Sequence, residues 1–230
     1  MVEHLDEICL DGDDLNDVLL EIERSFGVSL PHDLTHVHTA GDLFAEIRKM
    51  REPDGLGDRC DTAMSFFLLR RMLTSLGLQV GASPGTLLAG RGLPSPRRLA
   101  KLIRKETALE APGLVVSRTG CIGAVAIFAA GVGLALITWS PEWLATWLLM
   151  LPVLALDPGG WEGNWKTLGS LARSVAVRNV DHFAGKGARN REIDWWRSFS
   201  HLIAGIVAPL TRGREVKPDQ IGPETRFKFN

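Results

Sequence analysis

The stretch Gly120-Cys-Ile-Gly-Ala-Val-Ala-Ile-Phe-Ala-Ala-Gly-Val-Gly-Leu-Ala-Leu-Ile-Thr-Trp139 decides how this chain is read. It is twenty residues long and carries no acid and no base. At about 1.5 Å per residue, a helix of that length spans the roughly 30 Å hydrocarbon core of a bilayer. No polar face interrupts it, as a helix lying on a soluble core requires. Ala126/Ala130 and Gly131/Ala135 stand four apart, a spacing of small residues that lets a second helix approach closely. Ser140-Pro141-Glu142 then reads as a turn and a new helix start, with Ser140 as cap and Pro141 in the first position. A second apolar run follows from Trp143 to Leu156, with Pro152 inside it. Trp139, Trp143 and Trp147 cluster near the turn, and Trp161 and Trp165 stand at the far end, as two interfacial belts flanking a hairpin would. The expectation is a transmembrane helical hairpin over 119–157.

The charge on either side gives an orientation. The formal net charge of −1 conceals strong segregation. Residues 1–26 hold nine acids against one base, and residues 62–118 hold nine bases against two acids. Arg97, Arg98, Lys101, Arg104, Lys105 and Arg118 precede the first apolar run, whereas Lys166, Arg173 and Arg178 follow the second. The turn between them holds only Glu142. An excess of bases marks the cytoplasmic side, so both termini are expected in the cytoplasm of a multi-pass bacterial inner-membrane protein. The competing reading is a buried hairpin inside a soluble all-helical interaction protein.

Composition excludes other classes. With 45% hydrophobic residues among 230, the chain buries a core and is not disordered. Cys9, Cys60 and Cys121 lie far apart, which argues against a disulfide scaffold or a zinc knuckle. From the acidic start, Met1-Val-Glu-His-Leu-Asp-Glu7, no cleaved secretory leader is expected. Nucleic acid is not an expected partner: the basic block lacks interleaved aromatics, and no helix-turn-helix signature accompanies it. Ser95-Pro-Arg-Arg-Leu-Ala-Lys-Leu-Ile-Arg-Lys105 reads instead as a capped amphipathic helix. Its bases stand around Leu99, Leu102 and Ile103, which suits either contact with anionic membrane lipid or an ordinary solvated face.

The head reads as two helices. Leu15, Val18, Leu19, Ile22 and Phe26 recur at helical spacing among acids. Gly27 closes that helix, and Val28-Ser-Leu-Pro31 is an apolar exit. Thr39-Ala-Gly-Asp42 is a capping box with Asp in place of Glu, followed by the stripe Leu43, Phe44, Ile47. Residues 51–61 form a linker by composition. The segmentation is therefore an acidic helical domain over 1–50, this linker, a basic helical segment over 62–118, the hairpin, and a C-terminal helical domain over 158–230.

Leu15-Asn-Asp-Val-Leu-Leu-Glu-Ile-Glu-Arg-Ser-Phe-Gly-Val-Ser-Leu-Pro31 followed by Thr39-Ala-Gly-Asp-Leu43 resembles the second half of an acyl carrier protein. The resemblance covers roughly residues 11–50. It implies an all-α fold of carrier-like modules flanking the membrane hairpin, in an uncharacterised bacterial membrane protein family. Carrier proteins attach phosphopantetheine to a serine opening this helix. Here Gly12 and Asp13 stand at that place and no hydroxyl is present, so no phosphopantetheine and no other cofactor is expected. Carrier proteins are also recognised through this acidic helix. The resemblance thus implies Asp14, Asp17 and Glu21 as the docking surface for a basic protein partner.

The family's opening helix is missing before residue 11, but Trp195 to Val207 with Val216 to Phe227 resembles it. Pairing of this segment with the head of another chain would make a homodimer. Phe66 to Leu76 with Val80 to Leu88 looks like a fainter copy. Pro84-Gly-Thr-Leu-Leu parallels Pro223-Glu-Thr-Arg-Phe, and Thr167-Leu-Gly-Ser-Leu171 parallels Thr39-Ala-Gly-Asp-Leu43.

Candidate chemistry is sparse. His32, His36 and His38 place three imidazoles within seven residues, a combination that could hold zinc or copper, although the spacing matches no helix-borne ligand pair. No serine elbow, phosphate loop, zincin or dinucleotide motif occurs, and no catalytic residue is assigned. The expected role is a membrane-anchored, non-catalytic docking or adaptor protein. The alternative is an accessory factor or enzyme of acyl or lipid metabolism at the membrane.

Overall fold

The structure is a computed structural model, and it describes residues 5–10, 12–53, 55, 57–78, 83–88, 93–115, 118–138, 157, 159–161, 166–189, 191–207 and 216–229. The described residues are mostly helical. Eight α-helices lie among them: α1 Gly12–Phe26, α2 Ala40–Met50, α3 Asp61–Ser75, α4 Pro96–Thr107, α5 Arg118–Thr138, α6 Leu168–Val177, α7 Val180–Ala184 and α8 Glu192–Val207. Two short ribbons depart from an all-α reading. β1 (Glu7–Leu10) pairs in parallel with β4 (Arg226–Phe229), and β2 (Leu114–Val115) pairs antiparallel with β3 (Gly160–Trp161). Both unite segments far apart in sequence, which local periodicity does not reveal. The chain forms two units: residues 1–93, 103–112 and 163–230 make one, and residues 94–102 and 113–162 make the other. The boundary runs through α4, after Leu102.

In the first unit, the apolar stripe of α1 (Val18, Ile22, Phe26) meets Leu43, Phe44 and Ile47 of α2, and Trp195, Phe199, Leu202 and Ile203 of α8. The C-terminal helix therefore completes the N-terminal head within one chain. Phe26 and Trp195 meet edge-on, with ring centroids 5.3 Å apart. The ribbon closes the same core, as Ile8 of β1 sits opposite Phe227 of β4 and both are buried. A second helical pair, α3 against α6, buries Phe66, Leu69 and Leu73 together with Leu168, Leu171 and Val175.

These two sets are copies of one design. Thr39 caps α2 and Thr167 caps α6, each in a reciprocal box with the third residue, Asp42 or Ser170. The amide of Gly41 donates to the Pro223 carbonyl at 2.9 Å, and that of Gly169 donates to Pro84 at 2.8 Å. Ala40 donates to Thr225 and Leu168 to Thr86, both at 2.8 Å. Phe227 donates to His38 and Leu88 to Lys166, both at 2.9 Å. The turns also match, because Thr225 donates to Gly222 and Thr86 to Ser83, both at 3.1 Å. The first copy has its opening half (α8 and the loop to Phe227) late in the chain and its closing half (α1, α2) at the start. The second copy runs in ordinary order: α3, its loop, then α6.

Along the chain, α4 repeats features of α1. Val18 and Ile22 correspond to Leu99 and Ile103, all buried. Both helices stop at a left-handed residue, Gly27 at φ +63° and Ala108 at φ +55°. Both continue into an apolar exit, Val28-Ser-Leu-Pro31 and Leu109-Glu-Ala-Pro112. The first copy then reaches its capping threonine through seven residues, 32–38. The second copy reaches Thr167 only after residue 166, because the apolar segment is inserted at that connection.

The second unit holds the insertion. Leu114 pairs with Trp161 and Val115 with Gly160, so the outgoing and returning chains are joined at the base of the excursion. Arg97 of α4 donates to the Asp157 carbonyl at 3.2 Å beside that base. The run Trp143–Leu156, together with Trp139 and Trp165, lies outside the described residues.

Candidate functional site

α5 is helical over Arg118–Thr138, and its described side chains run from Gly120 to Val132. Gly120, Ala124 and Gly131 are buried, whereas Ile122, Val125, Phe128 and Val132 are 63%, 66%, 43% and 41% exposed. Large apolar side chains thus face outward from a helix with no polar side, the kind of exposed patch that marks an interaction surface or a membrane contact. Among the described residues, no helix is long and apolar enough to cross a membrane. Leu134 to Ile137 are helical, but their side chains fall outside the described set.

The acidic helix is partly committed to internal pairs. Asp17 is exposed. Glu21 accepts a hydrogen bond from the Arg178 guanidinium, and the Arg178 side chain is only 7% exposed. A carboxylate Oε1 of Glu23 accepts from the Leu30 amide at 2.7 Å and so fixes the apolar exit of α1. The side chains of Gly12, Asp13 and Asp14 lie outside the described residues, while the backbone places all three in the first turn of α1. The position in α4 that matches Asp14 is Ser95, whose Oγ accepts from the Arg98 amide at 3.5 Å, the limit of a cap contact.

Between α1 and the 29–38 loop runs an open groove of about 990 Å³. Leu15, Leu19, Leu20, Leu30, Leu34 and Val37 line it, with Glu23 at its edge. The sequence pattern did not disclose this groove, because periodicity marks the stripe that faces the core and says nothing of the shoulder beside it. Its signal was one surplus leucine, since Leu20 stands outside the stripe of α1 and is exposed.

The three loop histidines are not brought together as ligands. His36 Nε2 lies 2.9 Å from Glu46 Oε1, His32 and His38 are exposed, and no cluster of three metal-ligating side chains occurs among the described residues. Glu46 is a buried residue whose carboxylate also accepts a hydrogen bond from Lys49. Lys49, and then His36, hold that carboxyl below the ordinary carboxylate range. The Asp42 carboxyl is likewise lowered, first by the His38 amide. These contacts tie the loop to α2, a structural use for residues that sequence alone offered to a metal. Cys9, Cys60 and Cys121 are exposed free thiols.

Comparison with known proteins brings no match: no family model, no curated protein and no solved structure is similar to the chain.

Proposed function

We propose that this chain is a membrane-anchored, non-catalytic docking protein. The single observation that carries the reading is α5, a helix uncharged beyond Arg118 whose Ile122, Val125 and Phe128 face outward. Hydrocarbon around it removes an exposure that water penalises. The proposed anchor is a hairpin, 119–157, inserted into one of two carrier-like copies, with both termini on the cytoplasmic side of a bacterial inner membrane. The other copy presents the acidic face of α1. Asp17, with Asp14 in the opening turn, would attract a basic protein partner, and Glu21 serves the internal pair with Arg178.

Fractionation tests the anchor. After lysis without detergent, the protein is expected in the membrane pellet and resistant to carbonate, and detergent should release it. Recovery in the high-speed supernatant overturns the reading. In that event a second reading stands, in which another protein covers α5; it is favoured by the lack, among described residues, of a helix long and apolar enough to cross a bilayer. A role as an accessory factor of acyl or lipid metabolism would show as a covalent acyl or pantetheine adduct in the intact mass.

A further inference from the structure

We infer that the opening turns of α4 form a binding site for the headgroups of anionic phospholipids, with Arg98 and Lys101 as the ligands. This rests on the membrane reading above and adds the lipid class to it.

α4 buries Leu99, Ala100 and Ile103, and its other side carries Arg97, Arg98, Lys101, Arg104 and Lys105. These cations do not all have the same freedom. Arg104 lies 3.8 Å from the Glu110 carboxylate, and Lys105 lies 3.5 Å from Glu106. Arg97 is held by the Asp157 carbonyl at the base of the insertion. Arg98 and Lys101 are exposed and have no carboxylate within ion-pair distance among the described residues. They stand three apart on the helix, on one side of it.

Placement supplies the second argument. Arg97 donates to Asp157, and Asp157 lies just before the β3 residues Gly160 and Trp161 that pair with β2. The first turn of α4 is therefore fixed at the point where the apolar segment leaves and returns. If that segment enters hydrocarbon, this point lies at the headgroup level. Two exposed cations there face a layer of phosphodiesters, and each Lys or Arg near such a surface adds about a fivefold preference for anionic lipid. A guanidinium offers paired donors to phosphate oxygens, and the ammonium acts as a point charge.

The test uses the full-length protein reconstituted in phosphatidylcholine bilayers containing trace spin-labelled phosphatidylglycerol or spin-labelled phosphatidylcholine. The motionally restricted fraction of each label is read by electron paramagnetic resonance. The expected result is a preference of about fivefold or more for phosphatidylglycerol, falling towards parity in the Arg98→Gln/Lys101→Gln variant and at high salt. Equal restriction of both labels, or a preference untouched by the double substitution, overturns the inference while leaving the anchor intact. Abolition by millimolar inorganic phosphate at matched ionic strength also overturns it, since the site would then be one for free phosphate. Failure to enter either bilayer overturns the membrane reading and this inference together.

Discussion

Gly41 and Pro223 lie so close that a Cβ on the glycine would stand 2.8 Å from the proline carbonyl oxygen. The contact is backbone against backbone, fixed by the hydrogen bond between the same two residues, so neither side has a flexible end that can yield. Gly169 and Pro84 repeat the arrangement: a Cβ on Gly169 would stand 2.8 Å from the proline Cβ and 2.9 Å from its carbonyl oxygen. Gly41→Ala and Gly169→Ala are each expected to cost about 1–3 kcal/mol, as over-packing does. Denaturant unfolding followed by tryptophan fluorescence measures it. An alanine tolerated at both positions would show that the helix and its loop can move apart.

The capping threonines should be worth less. Thr39→Ala and Thr167→Ala each remove an acceptor from the first turn of a helix, at a cost of about 1 kcal/mol. Serine at either position restores most of it, because the hydroxyl and not the methyl makes the bond. Equal loss in the Ser and Ala variants would point to packing of the methyl instead.

Arg178 and Glu21 form the most shielded ion pair of the first unit among the described residues. Arg178→Met strands a carboxylate in a half-buried place and should cost about 3 kcal/mol. Arg178→Met with Glu21→Leu should recover much of the loss, since an apolar pair needs no compensating charge. A double variant as unstable as the single one would mean that Arg178 acts through its other contacts. For the same reason Glu21 is a poor site for charge reversal in partner experiments, and Asp17 is the clean one.

His201 gives the fold a pH dependence. Burial, then the cations Arg173 and Arg197, push its imidazole down to about 4, against the opposing pull of Asp219. An unfolded histidine titrates near 6.5. Between those values the unfolded chain holds a proton that the folded chain excludes, so unfolding is favoured as the pH falls. The contribution is fully present above pH 6.5, shrinks between 6.5 and 4, and totals about 3 kcal/mol by the lower end. His201→Gln should flatten the stability profile across this window. A profile of unchanged slope would place the acid sensitivity on other groups.

What the residues disclosed by themselves depended on range. The box at Thr39 was legible, because a capping box is written within four residues, and Thr167 was legible as its parallel. The stripe of α1 was legible for the same reason. The likeness of the Pro84 motif to the Pro223 motif, and of Thr167 to Thr39, was visible in the residues; that each proline loop meets its own threonine-capped helix is shown only by the hydrogen bonds. The kinship of α4 with α1 is hidden in the sequence, since alanine replaces glycine at the left-handed position and the acidic surface has become basic; only Leu99, Ile103 and Pro112 retain the pattern. The ribbons were beyond reach, as Ile8 and Phe227 come from opposite ends of the sequence. The use of Glu21 inside the fold was equally hidden, because its partner, Arg178, lies 157 positions away.

The permuted order of the first copy has a consequence during synthesis. Trp195 and Phe199, which fill the centre of the head, are made long after Ile22 and Ile47. At 5–20 residues per second the ribosome takes roughly ten to thirty seconds to bridge that interval. Throughout it the nascent head lacks its keystone helix, and the apolar stripes of α1 and α2 have no Trp195 or Phe199 to cover them. Any truncation that removes α8 would leave the head permanently in that nascent condition.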